Sequence, residues 1–229
     1  MNRSKKAALN LLSQLILQLV TAICGFIVPK LILENFGSEL NGLTTSIAQF
    51  LGIISLMESG FGAVAKSAFY KSLAQKDNVG ISGVYNATES FFRKVALVFL
   101  AYCILLSFVF PCFQKAEFGY FFVMSLVIII GISSFVQYYF GMSYTVLLNA
   151  DQNGYISAFL QVISVVLNAV LTLLLLKVGA SIHIVKLVSA IVLFIRPILI
   201  NLYCRRKYAI DRNVPQDLAS VSQKWDNFG

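Results

Sequence analysis

A chain of 229 residues that is 58% hydrophobic and only 12% charged carries too much apolar surface for a soluble globule, where roughly 45–50% apolar and about 25% charged are usual. The net charge of +8 does not point to nucleic acid, because Lys and Arg fall in short clusters between apolar blocks, where they act as topology signals. Those blocks run to about twenty residues or more, and at ~1.5 Å per residue each can cross a hydrocarbon layer of ~30 Å.

Taken in chain order, the apolar runs predict an all-α membrane protein with spans at about 9–33, 43–70, 90–112, 119–147, 155–177 and 182–203. The first run follows Arg3, Lys5 and Lys6 as a signal peptide would. It continues for about twenty-four residues without a small-residue cleavage site, so it reads as an uncleaved first helix. Turn signals separate the runs: Gly37 to Gly42, Lys71 to Asn78, Lys115 to Glu117, and Asn149 to Gly154. Residues 1–204 thus form a six-helix transmembrane bundle. Residues 205–229 form a cytoplasmic linker or tail in which Leu218, Val221, Trp225 and Phe228 share one helical face, fitting either a helix on the membrane surface or a loose tail.

The distribution of bases sets the orientation. With the amino terminus inside, thirteen of the eighteen Lys and Arg residues are cytoplasmic, including the clusters Arg3–Lys6, Lys66–Lys76, Arg93–Lys94 and Arg205–Lys207. The outer side holds Lys30, Lys115, Lys177 and Lys186. This bias predicts both termini in the cytoplasm.

Several spans are not apolar all round. Asn10, Gln14, Gln18, Thr21 and Gly25 recur at steps of three and four, as do Ser134, Gln137, Gly141 and Tyr144, and again Ser157, Gln161, Ser164, Asn168 and Thr172. Each stripe alone reads as packing glue between membrane helices. Three in one chain also fit a shared, partly wet interior.

Two full charges sit deeper. Glu58 and Arg196 lie at similar distances from the outer ends of spans two and six, roughly 21–23 Å at ~1.5 Å per residue. An ionised group there costs at least ~2.5–3.5 kcal/mol on insertion scales, so it faces a partner or water, or for Arg196 snorkels to the inner surface. Pro197 beside Arg196 marks a local break in hydrogen bonding, and Glu58, Gly62 and Lys66 share one helical face. Lys30 and Lys186 read as interface anchors, and His183 as incidental. Cys24, Cys103, Cys112 and Cys204 have no metal-ligand spacing and read as free thiols. No nucleophile elbow, phosphate loop or metal cluster appears, so neither a cofactor nor an enzymatic activity is expected.

The runs PKLILENFGSELNG, GLTTSIAQFLGIISLMESGFGAVAKSAFYKSLAQKD and LLNADQNGYISAFLQVISVVLNAVLTLLLLKVGASI resemble the Wzx-type O-antigen and capsule repeat-unit flippases of the multidrug/oligosaccharidyl-lipid/polysaccharide exporter superfamily. The resemblance rests on Pro29, Lys30, Gly37 and Gly42 around the end of the first span, and on Glu58, Gly60 and Gly62 in the second. It implies one half of a two-bundle transporter of the bacterial inner membrane, as a fragment or split gene product. It implies translocation of undecaprenyl-pyrophosphate-linked repeat units for O-antigen, capsule or exopolysaccharide synthesis. The implied partners are the lipid-linked oligosaccharide, membrane lipid, a second six-helix half and polysaccharide polymerase components.

On that resemblance Arg196, Lys30 and Lys66 would attract phosphate, Glu58 would pair with a base or carry a proton, and Gln14, Gln18, Gln161 and Asn168 would bind sugar hydroxyls. Two other readings stand beside it: a drug or cation exporter of the same superfamily, and a non-transporting membrane scaffold in a polysaccharide pathway.

Overall fold

The computed structural model describes residues 3–113, 118–218 and 221, with backbone alone for 3 and 56–59. The predicted turn at Lys115 to Glu117, and Trp225 and Phe228 of the predicted amphipathic face, lie outside the described residues. Among the described residues all regular structure is helical. The elements are α1 (Arg3–Leu51), α2 (Ile54–Gln75), α3 (Asn78–Phe113), α4 (Tyr120–Val136), a π turn (Gln137–Gly141), α5 (Met142–Ala150), α6 (Gly154–Lys177) and α7 (Ile182–Lys207). Among the described residues, five helical stretches are long and apolar enough to cross a membrane: Ser4–Leu51, Asn78–Phe113, Tyr120–Ala150, Gly154–Lys177 and Ile182–Lys207.

The region predicted as spans one and two is built differently from the expectation. The predicted loop from Gly37 to Gly42 shrinks to one residue, Gly37, whose φ of 85° and ψ of 171° leave the helix while its neighbours stay in it. Only glycine adopts that backbone without strain. Predicted span two is in turn broken at Gly52 and Ile53, so its first part belongs to α1 and its second to α2.

Side-chain partners show that the chain runs in opposite directions on the two sides of Gly37. Lys6 lies beside Asp151, and Val28 and Ile32 share a hollow with Ile129 and Ile130. Beyond the corner, Leu51 is back at the level of Gly131, the Tyr102 hydroxyl donates to the Phe50 carbonyl at 3.1 Å, and the rings of Phe61 and Phe91 stack. Tyr70 and Leu73 then return to Lys6 and Asp151.

α3 starts twelve residues before the predicted boundary at residue 90. Ile81 to Thr88 are all buried, although this stretch lies beyond the predicted span. The segment after α7 covers it: Asn86 donates to the carbonyls of Asp211 and Val214 at 3.1 and 2.8 Å, and the Asp217 N–H donates to the Gly83 carbonyl at 3.1 Å. Arg212 adds a bond to Glu89 at 3.1 Å. The predicted tail is therefore, over residues 208–217, a strap docked on α3.

Elsewhere large apolar side chains face outwards, as in Leu11, Phe26, Leu105 and Phe121, which suits a lipid-facing surface. α1 packs chiefly on α6, α3 on α4, and α6 on α7. All four cysteines are free.

Candidate functional site

Three of the polar stripes meet. The amides of Gln14 and Gln18 and the hydroxyl of Thr21 on α1, Gln137 and Gly141 of the π turn, Ser157 and Gln161 on α6, and Arg196 on α7 line one cleft of about 350 Å³. It opens along α1, where Gln14, Gln18 and Thr21 are exposed, and it closes against α7. Arg196 is the one charged residue among its described lining. Its guanidinium Nη2 donates to the Ser157 hydroxyl at 3.0 Å, and Ser157 is itself buried. The side chain is thus turned towards α6 and the cleft, instead of snorkelling along lipid. Gln161 presents a buried Oε1 without a protein partner beside it.

Pro197 explains how α7 comes so close. A Cβ on Gly141 would lie 3.2 Å from the Pro197 Cβ, so the absence of a side chain at 141 lets the two helices meet. The π turn has a second effect. One extra residue per turn rotates everything after it, which is why such turns occur so often at functional sites. Tyr144, predicted to share a face with Gln137 and Gly141, is instead buried against α3, its ring 4.7 Å from that of Tyr85. Met142, Thr145 and Asn149 take its place at the cleft. The sequence reading missed all three: Thr145 and Asn149 continue the four-residue step from Gln137 and Gly141, a series the polar stripe left for Tyr144.

The other predicted site residues are scattered around this cleft. Lys66 lines a neighbouring hollow of about 420 Å³ with Gly62, Met142 and Asn149, so α5 separates it from Arg196 while sharing two residues with both. Asn168, two turns further along α6, lines a third hollow that also holds Lys186. Lys30 lines none of these. It is exposed and pairs with Glu34 one turn later at 3.8 Å. Glu58 lies on α2, and its side chain is outside the described residues. His183 ties the start of α7 to α4, with its Nε2 2.8 Å from the Ser125 hydroxyl.

At the end of the bundle where Lys6 and Lys207 meet, Asp151 gathers several elements. Lys207 donates to its carboxylate at 2.9 Å, the Tyr208 hydroxyl at 2.6 Å, and Lys6 stands 3.9 Å away. Burial alone would raise this carboxyl's pKa, but the Tyr208 hydroxyl and the two ammonium groups outweigh it and hold it below the usual carboxylate value. Burial and the bond to Asp151 raise the Tyr208 phenol in turn. Asn10 joins this end to α6 by accepting from the Tyr155 N–H at 2.7 Å.

Fold and cleft together define a multi-pass helical membrane protein with a polar groove along its first helix. The fold is that of a MATE: the crystal structure of a proline-to-alanine MATE mutant matches with a TM-score of 0.72 over 91% of this chain, at 15% identity. That alignment covers 47% of the MATE chain, so this protein spans about half its length. Likeness at this identity is a likeness of fold alone. No family model and no curated protein matches the sequence.

Proposed function

We propose that this bundle, working with a second one of the same kind, flips lipid-linked oligosaccharides across the bacterial inner membrane by alternating access. In this reading the stretches of α1 before and after Gly37 are separate passes, the second continued by α2, which makes six crossings, and the distribution of Lys and Arg supports both termini in the cytoplasm. The observation that carries the reading is the cleft lining: one arginine among amides and hydroxyls from four helical segments, with no described carboxylate. A guanidinium suits a phosphate-bearing headgroup, and a dense set of neutral donors and acceptors suits sugar hydroxyls. The match to 47% of a MATE chain supports assigning the activity to an assembly instead of one bundle.

A cation exporter would call for acids in the cleft, and the described lining offers none. A scaffold would pack its polar stripes dry. Here they border a hollow of about 350 Å³, many times the ~10–15 Å³ that one water needs.

The test is complementation. In a flippase-null strain carrying the complete assembly, Arg196→Ala is expected to abolish repeat-unit export while the protein still inserts and accumulates normally. Export at the wild-type level would refute the proposal, and so would cysteines at Gln14 and Gln161 that water-soluble maleimides never reach.

A further inference from the structure

A hollow of about 190 Å³ between α1, α4, α6 and α7 lies apart from the Arg196 cleft and shares no lining residue with it. One turn into α7, Lys186 borders it, facing Asn168 and Thr172 of α6. No carboxylate lines this space among the described residues: α1 contributes Val28 and Ile32, and α4 contributes isoleucines and Ser133. Lys186 has no hydrogen bond or ion pair to any described residue.

The serines here are already committed. Ser133 donates to the Ile130 carbonyl at 2.8 Å, and Ser189 donates to that of Val185 at 2.9 Å. Two other groups are not. The Asn168 Oδ1 is buried without a protein partner, and Thr172 is 2% exposed and makes no hydrogen bond through its hydroxyl to any described residue. An ammonium that borders a largely apolar space with no carboxylate lacks a counter-charge, and buried polar groups need partners. The space is more than ten times the ~10–15 Å³ that one water requires, so it holds an ion together with water.

We propose that this hollow binds a small monovalent anion of the halide class, held by Lys186 together with Asn168 and Thr172. With the anion bound, one ammonium proton turns to the Asn168 oxygen, a bond the two residues do not make in this structure. The remaining ammonium protons and the Thr172 hydroxyl donate to the anion. The apolar walls select a weakly hydrated ion over a multivalent one, whose dehydration they could not offset. The site does not depend on what the Arg196 cleft carries.

The experiment titrates the purified full chain in detergent with sodium chloride against sodium gluconate at constant ionic strength, reading the thermal midpoint. Chloride is expected to raise Tm saturably, and at ten times the dissociation constant it should lower the unfolding equilibrium constant roughly tenfold. Lys186→Met removes the response and Lys186→Arg keeps part of it. Thr172→Val, a near-isosteric change, weakens the apparent affinity severalfold and serves if Lys186→Met cannot be purified. Crystals soaked in bromide should show an anomalous peak within this hollow. A flat chloride titration overturns the site, as does an unchanged response in both Lys186→Met and Thr172→Val, or bromide found only elsewhere.

Discussion

Gly141 and Pro197 touch where the π turn meets α7: a Cβ added to Gly141 would lie 3.2 Å from the Pro197 Cβ and 3.6 Å from its Cα. Because Arg196 directly precedes Pro197, this contact fixes how close the guanidinium comes to α6 and to Ser157. The proline ring is rigid and its Cα is backbone, so neither yields cheaply.

Gly141→Ala is accordingly expected to destabilise the protein by about 1–3 kcal/mol, the usual cost of overpacking. Gly25→Ala supplies the contrast. Nothing lies within 4 Å of a Cβ there, and within α1 the change should stabilise slightly, by about 0.5–1 kcal/mol of helix propensity. Thermal unfolding of both variants in detergent checks the pair. Equal melting temperatures would mean that α7 does not rest on the π turn.

Asp151 gives the lower end of the bundle a pH dependence of known sign. Its folded-state pKa lies below the unfolded one, so it contributes stability above the ordinary carboxylate range and loses it as pH falls through the folded value. Wild-type Tm should therefore fall on acidification more steeply than that of Asp151→Asn, which starts lower at neutral pH. Melting curves from neutral to acid pH decide this, and parallel curves would contradict it.

How much of this was visible in the sequence follows from what each feature depends on. Polar stripes with a 3.6-residue period are a local property, so Gln14, Gln18 and Gln161 could be placed on helical stripes before any fold was known, whereas for Arg196 the sequence left a partner, water and snorkelling all open. A break at Gly37 to Gly42 was legible as a turn signal, but its shrinking to Gly37 alone and the extension of α3 to Asn78 were not. The first depends on a single φ value, and the second depends on a strap more than a hundred residues away that buries Ile81 to Thr88. Lys30 and Lys186 looked alike as basic residues near helix ends. Only tertiary packing separates an exposed partner of Glu34 from a lysine that borders a hollow.

That separation yields a paired mutational prediction for the complete assembly in a flippase-null strain. Lys30→Ala removes an exposed i,i+4 pair and should leave export unchanged, since such pairs contribute little. Ser157→Ala removes the hydroxyl that accepts from Arg196 and should reduce export several-fold, with the charge still in place. Quantified surface polysaccharide provides the readout. Export lost in Lys30→Ala and retained in Ser157→Ala would move the phosphate-attracting role away from the cleft.

The π turn makes the sharpest prediction, because it reverses which of two adjacent residues meets the cleft. A continuous α-helix through Gln137 and Gly141 would carry Tyr144 on the same face. With the π turn, Tyr144 packs on Tyr85 and Thr145 lines the cleft instead. In a background with Cys24 and Cys112 replaced, since neither is buried, a cysteine at Thr145 should react with a water-soluble maleimide while one at Tyr144 stays unlabelled until the protein is denatured. The reverse pattern would mean that the rod from Tyr120 to Ala150 is unbroken α-helix.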